Sequence, residues 1–155
     1  MRHRALEHQP CSIARTVAVL GERWTMVILR QAFQGERRFE DIQRGLGIAR
    51  NILADRLQML VAEGILERRR YQDRPPRHEY RLTEKGRDLY PVMIALMQWG
   101  DKYTAGDAGP PVLLVHETCG HRTEPRFVCS HCGEPIEARE MRPEPGPGLR
   151  SALPA

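Results

Sequence analysis

The stretch from Phe39 to Leu82 limits the fold more than any other part of the chain. Phe39, Ile42 and Leu46 fall at i, i+3 and i+7, the spacing of one helix face. Gly45-Leu46-Gly47 is a turn, because glycine admits backbone angles that other residues avoid. Ile52, Leu53, Leu57, Leu60 and Val61 then mark a longer amphipathic helix that stops at Gly64. Residues 65–71 read as a strand, Gln72-Asp-Arg-Pro-Pro-Arg77 as a basic turn, and His78-Glu-Tyr-Arg-Leu82 alternates polar with apolar. Two helices across a tight glycine-bearing turn, followed at once by strand, basic loop and strand, predict a helix-turn-helix that carries a β-wing.

The flanking segments complete that body. Ser12 is expected to cap a helix striped by Ile13, Val17 and Leu20 and closed at Gly21. Residues 24–33 form a second helix, apolar on most sides and therefore central, ended by Gly35. Thr83 caps a final helix, with Glu84 in the first turn, where an acidic group suits the helix dipole. Leu89, Val92, Met93, Leu96, Met97 and Trp99 give that helix a broad apolar face, and Pro91 is expected to kink it near its second turn. The fold class is mainly α with a small β-wing: a winged helix-turn-helix plus a short Cys/His-rich C-terminal tail. Residues 8–103 make up the body, 104–111 a linker and 112–141 the Cys/His segment; residues 142–155 are too rich in proline and glycine to fold.

Charge is unevenly spread. Residues 1–103 hold 19 Lys+Arg against 13 Asp+Glu, and residues 104–155 hold 5 against 7, which together give the net +4. Nearly all the cations are arginine, whose fork binds phosphates and guanine edges in two-pronged fashion. A basic body with an acidic tail fits nucleic-acid contact by the body. No apolar run approaches the roughly 20 residues that span a bilayer, and the N-terminus lacks a secretory pattern, so a cytoplasmic protein is expected.

A helix that reads DNA places the N-terminal part of its exposed face in the major groove. Here that face opens with Arg50 and Asn51 and continues to Asp55 and Arg56. Arginine pairs with guanine acceptors and asparagine with adenine, so Arg50 and Asn51 are the types that read base edges, and Arg56 is assigned to base or phosphate. Asp55 suits a neighbouring arginine better than a cytosine. Arg37 and Arg38, just before the first helix of the motif, and Arg74 and Arg77, in the wing, suit phosphates or the adjacent minor groove. Arg68-Arg69-Arg70 lies on a strand, where successive side chains alternate faces.

Several short motifs share one order and spacing: Cys11-Ser-Ile-Ala-Arg15, Leu20-Gly-Glu-Arg-Trp24, Ile28-Leu-Arg30, Arg38-Phe39, Leu53-Ala-Asp-Arg-Leu57, Gly64-Ile65, Pro75-Pro-Arg77, Glu79-Tyr80, Leu82-Thr-Glu-Lys-Gly86 and Trp99-Gly100. Over residues 11–101 the chain resembles the HxlR-type winged-helix regulators. The resemblance implies a homodimer built from the N-terminal and C-terminal helices, bound to an inverted-repeat operator and acting as a repressor. A small-molecule or oxidant effector also fits that class. The chain departs from the pattern at Ala49, where the family usually opens its recognition helix with serine.

Cys11 stands at the mouth of the first helix, where the dipole favours negative charge, and some regulators of this kind use a cysteine there as a redox sensor. The competing reading is a small buried residue.

In the tail, His116-Glu-Thr-Cys119-Gly120 and Cys129-Ser-His-Cys132-Gly133 repeat one pattern: ligand, two residues, Cys, Gly. Two such turns supply a closed tetrahedral set, His116, Cys119, Cys129 and Cys132, suited to a structural zinc ion in a zinc-ribbon-like segment. His121 competes with His116 for the fourth place, and His131, inside a knuckle, points away.

No phosphate-binding glycine loop, nucleophile elbow or paired carboxylates appear, so the chain is not expected to be an enzyme. A winged helix used for protein docking is the remaining alternative, and it would tend to lose the basic face retained here.

Overall fold

The computed structural model describes residues 4–150. Five helices come first: α1 (Arg4–Glu7), α2 (Ser12–Leu20), α3 (Thr25–Phe33), α4 (Phe39–Leu46) and α5 (Arg50–Ala62). The wing strands β1 (Leu66–Gln72) and β2 (Arg77–Leu82) follow, then α6 (Glu84–Arg87) and α7 (Tyr90–Thr104). The tail holds two short strands, β3 (Val115–His116) and β4 (His121–Arg122), and a last helix, α8 (Pro147–Arg150). Two compact units are present, divided between Ala95 and Leu96, inside α7. Residues 104–111, read from the sequence as a linker, contain a short 3-10 turn, Gly106–Ala108. Helix α8 occupies part of the segment expected to lack structure, and residues 151–155 of that segment lie outside the described residues. No helix among the described residues is long and apolar enough to cross a membrane.

The core of the first unit gathers one stripe from each helix. Ile28 and Leu29 of α3, Ile42 of α4, Leu53, Leu57 and Leu60 of α5 and Leu66 of β1 are all buried together. The hydroxyl of Thr25 is buried there without a hydrogen-bond partner, and Gln31 is the other buried polar side chain among the described residues.

Helix ends follow local chemistry, with two corrections to the sequence reading. Cys11, not Ser12, is the N-cap of α2, and Ser12 is its first helical residue. Thr83 caps α6 as expected, its hydroxyl accepting from the Gly86 amide at 3.0 Å, but that helix ends at Arg87 and α7 starts anew at Tyr90. Pro91 therefore falls in the first turn of α7, where its missing N–H deletes no helical bond. It starts a helix and kinks none.

Gly47 ends α4 in the left-handed region at φ 61°, which turns the chain sharply into α5. Helix α5 opens at Ala49, which has extended angles but no side-chain cap bond. Ala49→Ser is expected to add that cap and raise stability by about 1 kcal/mol, read as a shift of the urea midpoint. The wing is antiparallel, registered from Leu66 opposite Leu82 to Arg70 opposite His78, with an irregularity before Gln72 opposite Arg77. An isolated bridge between Arg38 and Glu79, and the Tyr80 amide bonded to the Arg37 carbonyl at 2.7 Å, tie the approach to α4 onto the wing.

Candidate nucleic-acid interface

These ties put the start of α4, the start of α5 and the turn end of the wing around one groove. It is lined by Arg38, Arg44, Arg50, Arg68, Arg77 and His78, with the carboxylates of Glu40 and Asp41 and the rings of Phe39, Tyr71 and Tyr80 among them, so cations outnumber anions. The guanidinium of Arg50 lies over Phe39 at 4.7 Å from the ring centroid, and that of Arg38 over Tyr71 at 4.8 Å. Stacking engages the flat face of a guanidinium and leaves its in-plane N–H donors directed outward. Each arginine is thus held in place with its hydrogen-bonding edge available.

His78 accepts a hydrogen bond at Nδ1 from Arg68, 3.0 Å away. Arginine can only donate, so this nitrogen carries no proton in that bond. Partial loss of solvent holds the imidazole below its ordinary pKa, and repulsion from Arg68 and then Arg70 adds to the effect.

The sequence-assigned residues do not all meet at this groove. Arg38, Arg50 and Arg77 line it, and exposed Asn51 follows Arg50 on α5. Arg74 is exposed in the wing turn, where Gln72 donates to its carbonyl. Arg37 lines a separate cleft with Arg69 and Arg87. Arg56 is half-buried and pairs with Glu22 at 3.8 Å, against the body of the domain. Helix geometry accounts for this: at about 100° per residue, position 56 lies roughly 140° round the helix from Asn51. Gln58 lies only about 20° away on the same arithmetic and is exposed, as are Ala54 and Asp55. Gln58 is therefore a member of the outward face that the sequence reading missed, although the spacing of seven from Asn51 carried the signal. The arginine run splits as strand alternation requires. Arg68 faces the groove, whereas Arg69 pairs with Glu67 at 2.7 Å on the other side.

Cys11 is exposed at the N-cap of α2.

The tail folds its two Cys-Gly motifs alike. In the first, the amides of Cys119 and Gly120 both donate to the His116 carbonyl, at 3.1 and 2.8 Å, and Gly120 takes φ 70°. In the second, the Gly133 amide donates to the Cys129 carbonyl at 2.9 Å, and Gly133 takes φ 77°. The Cys129 thiol is pulled below its ordinary pKa by the backbone amides of Cys132 and His131 and by the Cys132 thiol, with desolvation opposing. His116 Nδ1 lies 3.4 Å from the Cys119 sulfur, while His121 Nδ1 donates to the Cys119 carbonyl at 2.7 Å. Among the described residues, no group of three His, Cys, Asp or Glu side chains is gathered closely enough to hold a metal ion.

A helix-turn-helix whose second helix is exposed at its N-terminal face, backed by an antiparallel wing over a basic groove, defines the winged helix-turn-helix class. The chain belongs to the HxlR-like helix-turn-helix family, whose model matches residues 19–108. It is a transcriptional regulator of the helix-turn-helix type, as are its relatives. An HTH-type transcriptional regulator of Mycobacterium tuberculosis strain H37Rv is 53% identical over 142 residues, covering 92% of this chain and 90% of that one. The crystal structure of PA1607, described as a transcription factor, superposes with a TM-score of 0.82 at 35% identity, covering 90% of this chain and 98% of that one. The redox regulator HypR in its reduced form matches with a TM-score of 0.56 at 32% identity, over 59% of this chain and 92% of that one. An alignment that takes in 142 of the 155 residues necessarily runs into the tail, so the segment beyond the family match is shared with some relatives.

Proposed function

We propose that the protein is a sequence-specific, double-stranded-DNA-binding repressor that sits on an inverted-repeat operator as a homodimer. The observation that carries this reading is the groove where Arg38, Arg50, Arg68 and Arg77 converge beside the exposed start of α5. In it Arg50 and Asn51 read base edges, with Gln58 on the same helix face. Arg38, Arg74 and Arg77 take phosphates, and Arg56, paired with Glu22, braces the helix. Dimerisation is supported by α7, where Leu96, Trp99 and Tyr103 form an exposed stripe at i, i+3 and i+7. Helix α2 likewise leaves Ile13 and Val17 exposed. Two-fold pairing would set the recognition helices about 34 Å apart, or a multiple of it.

The test is selection of bound duplexes from a random-sequence pool, followed by gel-shift titration against salt. Specific binding should fall about 10³–10⁵-fold between roughly 50 and 200 mM salt for six to ten phosphate contacts. Arg77→Ala should reduce the log–log slope by about one. Failure to enrich any sequence would leave the domain as a protein-docking module.

His78 gives this interface a pH dependence of known sign. Its pKa is held below the ordinary value in the free protein, and an arriving phosphate favours the charged form. Binding therefore takes up a proton, and affinity should rise as pH falls through the ordinary histidine range near about 6.5, by at most about tenfold per pH unit. His78→Asn should flatten that dependence. The free fold has the opposite sign. An imidazole that resists protonation when folded is protonated more readily when unfolded, so stability declines as pH drops through the same window.

A second reading, regulation through oxidation of Cys11, is favoured by the exposure of that thiol and by the likeness to a redox regulator. If Cys11 resists alkylation in the native protein and Cys11→Ser responds normally to oxidant, this reading fails.

A further inference from the structure

The tail beyond the linker has an organising problem that its own side chains do not solve. Val112, Leu113, Val115, Phe127, Val128, Ile136 and Met141 are all between 44% and 57% exposed, and no residue of the 112–141 segment is buried. Its cysteines form no disulfide. A segment of this size with neither core nor crosslink ordinarily needs a metal to be stable. Yet it holds two hairpins of matching design. β3 and β4 pair His116 with His121, and a bridge pairs Val128 with Pro135. Each turn bends back on the carbonyl of its first candidate ligand and closes with a glycine in the left-handed region.

We propose that this tail is a structural zinc site whose ligands are His116 through Nδ1 and the sulfurs of Cys119, Cys129 and Cys132. The first half-site already has suitable geometry. With zinc–sulfur near 2.3 Å and zinc–nitrogen near 2.0–2.1 Å at a tetrahedral angle, sulfur and nitrogen ligands stand about 3.6 Å apart. His116 Nδ1 and the Cys119 sulfur stand 3.4 Å apart. Two histidines compete for the fourth place: His121 donates its Nδ1 hydrogen to the Cys119 carbonyl, which leaves its Nε2 free, whereas His116 already turns its Nδ1 to the Cys119 sulfur. The ion would draw the second hairpin onto the first, joining two half-sites that the structure does not bring together. Four protein ligands leave no open position, so the site is structural and not hydrolytic. Three thiolates and one neutral imidazole around a dication leave a net charge of −1, in keeping with the acidic character of the tail. The proposal rests on the tail alone and stands or falls independently of DNA binding.

The experiment uses the full chain, purified without chelator or metal-affinity steps. Elemental analysis is expected to give about one zinc ion per chain. Cobalt(II) exchanged for that zinc is expected to give the intense visible bands of a tetrahedral site, with charge transfer from three thiolates. His116→Cys should keep the metal and raise the thiolate charge transfer. That variant keeps the test readable if His116→Ala or Cys129→Ser folds poorly. His121→Ala should leave metal content and spectrum unchanged, whereas Cys129→Ser should surrender its metal to a chelator that leaves the parent loaded. Zinc far below stoichiometry in the parent, or a six-coordinate cobalt spectrum, would overturn the site. Loss of metal from His121→Ala with retention in His116→Ala would overturn the ligand set.

Discussion

The double substitution Leu96→Asp, Trp99→Asp is expected to lower affinity for a two-half-site operator by about 10²–10⁴-fold while each chain stays folded. The two side chains are 51% and 63% exposed, and neither belongs to the buried core, so charge there costs the monomer little. Trp99 packs against Tyr103 with ring centroids 5.4 Å apart and planes tilted by 48°, which makes an aromatic patch on α7. Burying a carboxylate without a partner is strongly unfavourable, so a second copy should no longer dock on that face. With the dimer lost, the second recognition helix is no longer held near its half-site, and binding is left with one domain's affinity. Sedimentation equilibrium read beside gel shifts on full and half operators separates the two effects. Half-site affinity should hardly move. A variant that remains dimeric and binds the full operator like the parent would remove α7 from the interface.

Leu53→Ala should cost about 2–5 kcal/mol of stability, measured by urea unfolding. Leu53 is completely buried, in the first half of α5, and packs with Ile28, Leu29 and Ile42 in the same core cluster. Removing three carbons there leaves a cavity that neighbouring helices fill only in part. Asn51→Ala, two residues earlier and exposed, should leave stability within about 0.5 kcal/mol of the parent and instead weaken binding at one base position by about 1–3 kcal/mol. A loss below 1 kcal/mol for Leu53→Ala would mean that α5 is not seated on the core as described.

Much of the body was legible because the signals that start and stop helices act over one or two turns. Apolar spacing located α2 to α5 within a residue or two, and the glycines at 21, 47 and 64 fell where those helices close. The wing was legible for the same reason, since period-two alternation and a Pro-Pro turn are local. Arg50, Asn51 and the wing arginines were candidates by residue type and position alone. Gln58 is also within reach of helix arithmetic, at a spacing of seven from Asn51.

What the sequence left open concerns neighbours distant along the chain. The body against which Arg56 packs is set by Glu22, thirty-four residues away, and helix periodicity alone does not name that partner. Whether Arg37 shares a groove with Arg38 depends on how the approach to α4 bridges to Glu79 in the wing. Pro91 was compatible with a kink or with a start. The chain chose the start once Thr83 and Gly86 had closed a separate short helix ahead of it. The sequence by itself determined the elements, their order and the chemistry available, because caps, turns and stripes are short-range. Only the tertiary structure decided which side chains meet, because convergence depends on packing between segments and on the close approach of their backbones.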